Sequence, residues 1–392
     1  MRTERVRESD DARRGDSLMC PELETRTVST GISLTSTLHA KNAKNAKRDP
    51  ISSPDSLIYS NAMQALVYTG PGTVEVLDRP KPTVQVPTDA VVRLLHASIC
   101  GTDLHILKGD VPSIKPGRVL GHEGVGVVES LGSAVHTLQL GQRVLISCMT
   151  SCGACRFCQR GLAAHCITGG WTLGNKIDGT QAEYVRVPHA TLSLHPLPDS
   201  IDARAAVAVS DAFPTGLECG VLSAGVQLGG SVAIVGAGPV GMAALLTARL
   251  YTPSLIVMVD LDEGRLATAH SLGAHAIVVS RPDAEQKLMD LTGAQGFDSV
   301  IEAVGIPATF ELCQKVVAVG GRIANVGVHG TKVDLHLERL WERNISKSKR
   351  KRRGSGEIRL TPQAFICHWS MRQQHPASCD SWNRTCWTLV PW

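Results

Sequence analysis

The sequence predicts an α/β protein in which a β-rich, partly barrel-like domain is followed by a doubly wound parallel sheet. Two observations carry this expectation. Between Met63 and about Pro198, short β-rich runs alternate with Gly and Pro turns, a pattern of antiparallel strands and loops. From about Asp202 to Val328, short buried apolar runs alternate with helix-length segments, as parallel strands joined by crossover helices require. With 392 residues, of which 43% are apolar and 19% charged, the chain is long enough for two or three domains, each with its own core.

Residues 1–62 are rich in Ser, Thr, Arg, Lys and Asn and hold no sustained apolar period, so they read as a disordered extension. A mitochondrial presequence is a poor alternative, because nine Asp/Glu accompany ten Lys/Arg there and such presequences avoid acids. The first strand-like pattern starts at Met63, which could itself be an initiator. Residues 63–200 form the expected first domain, with Ala90 to Leu95 and Gly124 to Glu129 among its strands. Residues 201–345 form the second, with strands expected at Ser231 to Val235, Leu255 to Val259, Ala276 to Val279, Ser299 to Ala303 and Arg322 to Val326. The most apolar long stretch, Ser231 to Leu250, contains Gly236, Gly238, Pro239 and Gly241 and is therefore not a spanning helix. No membrane segment is expected.

Charge is unevenly placed. Residues 346–392 carry nine Lys/Arg against two Asp/Glu, so the net charge of +4 belongs to this tail and the rest of the chain is slightly acidic. The body needs no nucleic acid or other polyanionic partner. Five of the twelve cysteines lie between Cys148 and Cys166, and no secretory signal opens the chain. Clustered thiols without a signal favour metal binding in a reducing compartment, the cytoplasm, over a disulfide framework.

Three motifs carry chemistry. Gly236, Gly238 and Gly241 stand in Gly-x-Gly-x-x-Gly spacing between an expected strand and an expected helix. The first permits a tight turn, the second lets a pyrophosphate approach the backbone, and the third lets the helix pack closely. Asp260, nineteen residues after Gly241 at the end of the next strand, is placed to accept from the adenosine ribose hydroxyls and to repel a 2′-phosphate. NAD is expected over NADP. Cys152, Cys155, Cys158 and Cys166 have Cys-x2-Cys-x2-Cys-x7-Cys spacing, which lets four thiolates from one loop close tetrahedrally on a structural Zn2+. Cys148 lies outside this spacing and reads as a plain buried residue. Cys100, the Gly121-His122-Glu123 triplet and Asp211 form a looser set of soft, borderline and carboxylate ligands. By spacing alone, that set does not decide between a catalytic metal and satisfied polar pairs.

In order, Cys100-Gly-Thr-Asp-Leu-His105, Gly121-His-Glu-Gly-Val-Gly126, the four-cysteine loop and the glycine fingerprint resemble the zinc-dependent medium-chain alcohol dehydrogenases. The resemblance runs from about Met63 to Ile345. It implies a GroES-like β-barrel catalytic domain, a Rossmann coenzyme domain and an active site in the cleft between them. Cys100, His122 and Asp211 match the catalytic zinc ligands, with Glu123 a neighbouring carboxylate able to exchange with substrate or water. An aspartate at the third position resembles the Cys/His/Asp branch, often found with secondary alcohols. Thr102 matches the hydroxyl that takes the substrate proton, His105 the end of the relay through the ribose, and Thr215 a contact on the nicotinamide side. The implied reaction is hydride transfer between a secondary or small primary alcohol and NAD, with the alcohol activated by a Lewis acid.

After Ile345 the sequence departs from the family pattern. Where the family completes its coenzyme sheet and its catalytic domain, this chain has a basic run at Lys349 to Arg353 and then an aperiodic stretch with four of the six tryptophans. The tail is expected to be disordered, with the last sheet strand missing. A homo-oligomer is expected if the C-terminus were family-like, by way of that sheet edge. The alternative function is an NAD- and zinc-binding protein without turnover, its C-terminal catalytic segment replaced. Zinc-free reductases of the same superfamily are a weaker third, opposed by both cysteine sets.

Overall fold

The structure, a computed structural model, describes residues 62–345. The expected extension before Ala62 and the expected tail from residue 346 lie outside the described residues, as does the strand expected to be missing.

From Ala62 to Pro196 the chain forms strands β1 (Ala62–Gly70), β2 (Thr73–Pro80), β3 (Ala90–Ala97), β4 (Arg118–Val119), β5 (Gly124–Leu131), β6 (Arg143–Ile146), β7 (Tyr184–Val187) and β8 (Leu194–Pro196). They make a three-stranded antiparallel sheet, β2-β1-β4, and a five-stranded one, β7-β3-β5-β6-β8. Period-two patterning explains the first: Met63, Ala65 and Val67 point inward from β1 and are buried against Val119, while Gln64 points out. In the larger sheet, Val92, Val128, Val144, Ile146, Val185 and Leu194 close one core. Two register irregularities between β3 and β5 bend it, as strand curvature in a partial barrel requires.

From Ser231 onward the architecture changes. Strands β9 (Ser231–Val235), β10 (Leu255–Asp260), β11 (Ala276–Val279), β12 (Phe297–Glu302) and β13 (Val317–Asn325) form a parallel sheet in the order β11-β10-β9-β12-β13. Alternate residues go to opposite faces, and both faces are buried. Val232, Ile234, Ile256 and Met258 join Met242, Leu245 and Leu266 on one side. Ala233, Val235, Val257 and Val259 join Leu288, Cys313 and Val316 on the other. Helices on both faces account for the near-continuous apolar runs of these strands.

The parallel-sheet strands lie within one residue of the expected ones except at two starts. β12 begins at Phe297 and β13 at Val317, earlier than the apolar runs suggest, because Phe297 pairs with Val317 ahead of an irregularity in register. Asp298 and the Gly320-Gly321 pair fall within that irregularity, after which pairing resumes at Ser299 and Arg322. Among the described residues one helical run, Ala203–Leu222, is long and apolar enough by length and composition to cross a membrane. Ala206, Val207, Leu217 and Val221 within it are buried in protein cores, as in a core helix.

The strand order reverses at β9, between its neighbours β10 and β12. Ligands of such sheets lie at the C-terminal ends of the strands at that reversal, and the Gly236 turn sits there.

Candidate active site

Cys100 precedes the helix Gly101–Lys108, and its position is set by Asp103, whose Oδ2 accepts the Cys100 backbone N–H at 2.9 Å. Gln181 donates to the same oxygen at 2.9 Å, so the buried Asp103 carboxylate ties the helix start to the loop before β7. His122 and Glu123 come from the segment entering β5. Gly121 has φ +92°, and a β carbon there would meet the Gln181 N and the Thr180 hydroxyl at under 3 Å, so only glycine lets this segment turn against that loop. Asp211 sits at a break between the helices Ala203–Ser210 and Ala212–Thr215.

These three segments bring ligand atoms of Cys100, His122, Glu123 and Asp211 within 4.8 Å of one another. His122 Nε2 is 3.2 Å from Asp211 Oδ2 and 4.0 Å from Glu123 Oε1; Cys100 Sγ is 3.9 Å from Asp211 Oδ2. The His122 ring meets Trp171 edge-on at 6.1 Å between centroids. The set that spacing left open is thus one cluster.

Its electrostatics are those of crowded anions. Burial raises the Glu123 carboxyl, and the Asp211 charge raises it further, against a hydrogen bond from the Ser98 hydroxyl. Burial also opposes ionisation of Asp211, but the hydrogen bond and charge of His122, with donation from Thr215, hold it down at about 2. For His122, burial works against the charged ring, yet hydrogen bonding to Asp211 and Cys100 raises it well above its ordinary range. In the cluster itself, Asp211 and Cys100 favour a proton on His122. A divalent cation bound there would take the place of that proton, since metal binding to such donors releases protons. One thiol, one imidazole and two carboxylates in a buried pocket suit Zn2+ with a position left for substrate.

Thr102 Oγ1 lies 3.7 Å from Cys100 Sγ, and His105 follows one turn later on the same helix. The Thr215 hydroxyl donates to Asp211 Oδ1 at 2.7 Å, which joins Thr215 to the cluster through a bond that spacing did not suggest. Cys148 is buried as expected; burial and the neighbouring Asp211 push its thiol up. Asp103, Trp171 and Ser98 were missed by sequence reasoning. Of these only Asp103 had a legible signal, an acid three residues after the residue that caps the helix.

In the second cluster, the sulfurs of Cys152, Cys155, Cys158 and Cys166 also lie within 4.8 Å of one another. Backbone N–H groups point at the sulfurs, from Cys152 to Cys166 Sγ at 3.3 Å and from Cys155 to Cys152 Sγ at 3.4 Å. Backbone donation from Cys158 and Ile167 draws the Cys155 thiol down to about 6, while burial and its partner Cys155 push Cys158 up to about 12. Four sulfurs with amide donors around them are the donor set of a closed, structural zinc site.

At the coenzyme sheet, Gly236 has φ +110°, and a β carbon on Gly241 would lie 1.8 Å from the Gly236 carbonyl. Gly238 caps the helix Pro239–Ala248, and a β carbon there would point into open space, where a pyrophosphate could approach. Asp260 ends β10; its Oδ2 accepts from Ala237 N at 2.6 Å and its Oδ1 from Asp262 N at 2.9 Å, so the carboxylate stands beside the fingerprint turn.

A buried cluster of candidate metal ligands in a β-rich half, joined to a dinucleotide-type sheet, has the parts of a metal- and nicotinamide-dependent oxidoreductase. The pattern of the family described as Alcohol dehydrogenase GroES-like domain matches residues 86–199, and that described as Zinc-binding dehydrogenase matches residues 239–359, past Ile345. An alcohol dehydrogenase of Cupriavidus necator is 38% identical over 292 residues, covering 70% of this chain and 79% of that protein. Among solved structures, zinc dependent alcohol dehydrogenase 2 from Streptococcus pneumonia matches with a TM-score of 0.72 at 46% identity, covering 80% and 88% of the two chains. Alcohol dehydrogenase TADH from Thermus sp. ATN1 matches with a TM-score of 0.68 at 33% identity, covering 79% and 88%. The chain belongs to the zinc-dependent medium-chain alcohol dehydrogenase family. It is an alcohol oxidoreductase that uses zinc and a nicotinamide cofactor, and its substrates are small-molecule alcohols or aldehydes. These relatives favour the enzyme over a binding protein without turnover.

Proposed function

We propose that this chain transfers a hydride between a secondary or small primary alcohol and NAD, with Cys100, His122 and Asp211 holding a catalytic zinc ion. Cys152, Cys155, Cys158 and Cys166 hold a structural one. The convergence of Cys100, His122, Glu123 and Asp211 in one buried cluster, from positions up to 111 residues apart, carries this proposal. When bound, the metal supplies Lewis-acid activation of the alcohol oxygen and the nicotinamide supplies the hydride acceptor. The chain's own residues position and deprotonate. Thr102 accepts the substrate proton and passes it toward His105, Thr215 holds Asp211 in place on the nicotinamide side, and Glu123 is the carboxylate able to exchange with substrate or water. The buried walls around His122 keep water from competing for the site.

Gly236, Gly238 and Gly241 bind the pyrophosphate, and the negative charge of Asp260 beside that turn favours NAD over NADP. The catalytic domain spans residues 63–200 and the coenzyme domain residues 201–345. A cytoplasmic location suits the eight free cysteines among the described residues. A homo-oligomer through the β13 edge, which has one neighbour among the described residues, is the expected assembly if a family-like C-terminus covers it.

The test is NADH formation over primary alcohols, secondary alcohols and diols, with metal analysis of the same sample. Two zinc ions per chain and turnover that is highest with secondary or small primary alcohols are expected. One ion or none, or turnover unaffected by complete zinc removal, would refute the proposal.

A further inference from the structure

His105 stands in the last turn of the helix Gly101–Lys108. That helix ends at Gly109, with φ 83°, and the Asp110 backbone N–H returns to the His105 carbonyl at 3.0 Å. The reversal folds Asp110 back beside the ring, with its Oδ2 2.8 Å from His105 Nδ1. A carboxylate only accepts, so Nδ1 carries the proton and Nε2 is left as the acceptor. The two side chains are 16% and 25% exposed, so water competes weakly for this bond.

The other side of the carboxylate is covered by Gly330, from the segment that follows β13. A β carbon there would lie 2.3 Å from Asp110 Cγ and Oδ1. Gly330 has no left-handed φ, so its backbone would accept alanine and its missing side chain is room for the carboxylate.

We propose that Asp110 is a positioning residue for His105: it fixes the tautomer with Nε2 free to take a proton, and Gly330 from the coenzyme half holds it in place. This rests on the assignment of His105 to the end of the proton path. In the step itself a hydroxyl O–H breaks as Nε2–H forms, and the proton then leaves from Nε2 to water. The Asp110 carboxylate stabilises the imidazolium between these events, as the buried acid does in a Ser-His-Asp triad.

The test uses the full chain and the variants Asp110→Ala, Asp110→Asn, Gly330→Ala and His105→Gln. Asp110→Ala should lower kcat about tenfold with KM for NAD and alcohol little changed, the size of a partial loss of general acid–base catalysis. Asp110→Asn, which can still accept from Nδ1, should recover part of that loss. Gly330→Ala should act like a weaker Asp110→Ala by displacing the carboxylate. Nitrogen-15 spectra of histidine-labelled protein, with His105 assigned from the His105→Gln spectrum, should show a protonated Nδ1 and a bare Nε2. In Asp110→Ala they should show mixed tautomers. If His105→Gln leaves turnover unchanged, the assignment of His105 fails and the proposal falls with it. If His105→Gln slows turnover while Asp110→Ala alters neither kcat nor the tautomer, the assignment stands and the role of Asp110 is overturned.

Discussion

The four-sulfur cluster comes from one loop, residues 152–166, while the Cys100 cluster draws on three segments and joins positions 111 residues apart. In the first, three of the four cysteines are partly exposed and the backbone itself donates to sulfur. In the second, three of the four donors are buried, and side chains answer one another: Asp211 to His122 and Thr215, Glu123 to Ser98. Loop-closure entropy grows only slowly with length, but crowding two buried carboxylates with a thiol opposes assembly at any length. The local cluster can therefore contribute its metal-binding energy to folding. The dispersed one must be assembled by the surrounding fold, which would leave a metal bound there free to act on a ligand.

That contrast predicts different failures. Cys100→Ala should lower kcat/KM by about a thousandfold, because the Lewis acid is lost. Zinc analysis of the same variant should find one ion fewer with the fold intact; an active variant would abolish the division between the clusters. Cys155→Ser should do the converse. Its thermal midpoint should fall by on the order of 10 °C, while the folded fraction retains turnover.

Acid sensitivity sharpens the comparison further. Burial lowers the His195 imidazole to about 4, from an ordinary value near 6.5, at a place on β8 outside both clusters. Between those two pH values the unfolded chain binds the proton and the folded chain does not. The associated stability is therefore complete above pH 6.5 and is lost as pH falls toward 4, by roughly 3 kcal/mol in all. His195→Phe should flatten this part of the urea-unfolding profile and leave acid release of zinc unchanged. If both change together, metal loss and unfolding are one event and the clusters are not energetically separate.

The smallest effect belongs to neither cluster. Asp260→Ser should narrow the ratio of kcat/KM for NAD over NADP by about tenfold, worth about 1.4 kcal/mol, by removing a ribose acceptor and a repulsive charge together. Equal kcat/KM for both cofactors in the unaltered chain would show that Asp260 does not set the preference.

Local order along the chain determined the two β-rich and α/β halves, the four-cysteine loop and the fingerprint turn. Each depends on contacts between near neighbours: a strand's two-residue period, three short cysteine spacings, or a glycine whose β carbon would strike a carbonyl five residues back. The tertiary structure decided that Asp211 faces His122, that Gln181 joins the Cys100 backbone in holding Asp103, and that Asp110 lies between His105 and Gly330. It also decided that β13 begins at Val317, which pairs with Phe297 ahead of the irregularity in register. The pairs His122–Asp211, Gln181–Asp103 and Gly330–Asp110 join residues distant in sequence, and no period or spacing encodes them. They exist because packing three sheets and their connecting segments around separate cores leaves only certain polar groups facing one another, and burial requires those groups to be paired.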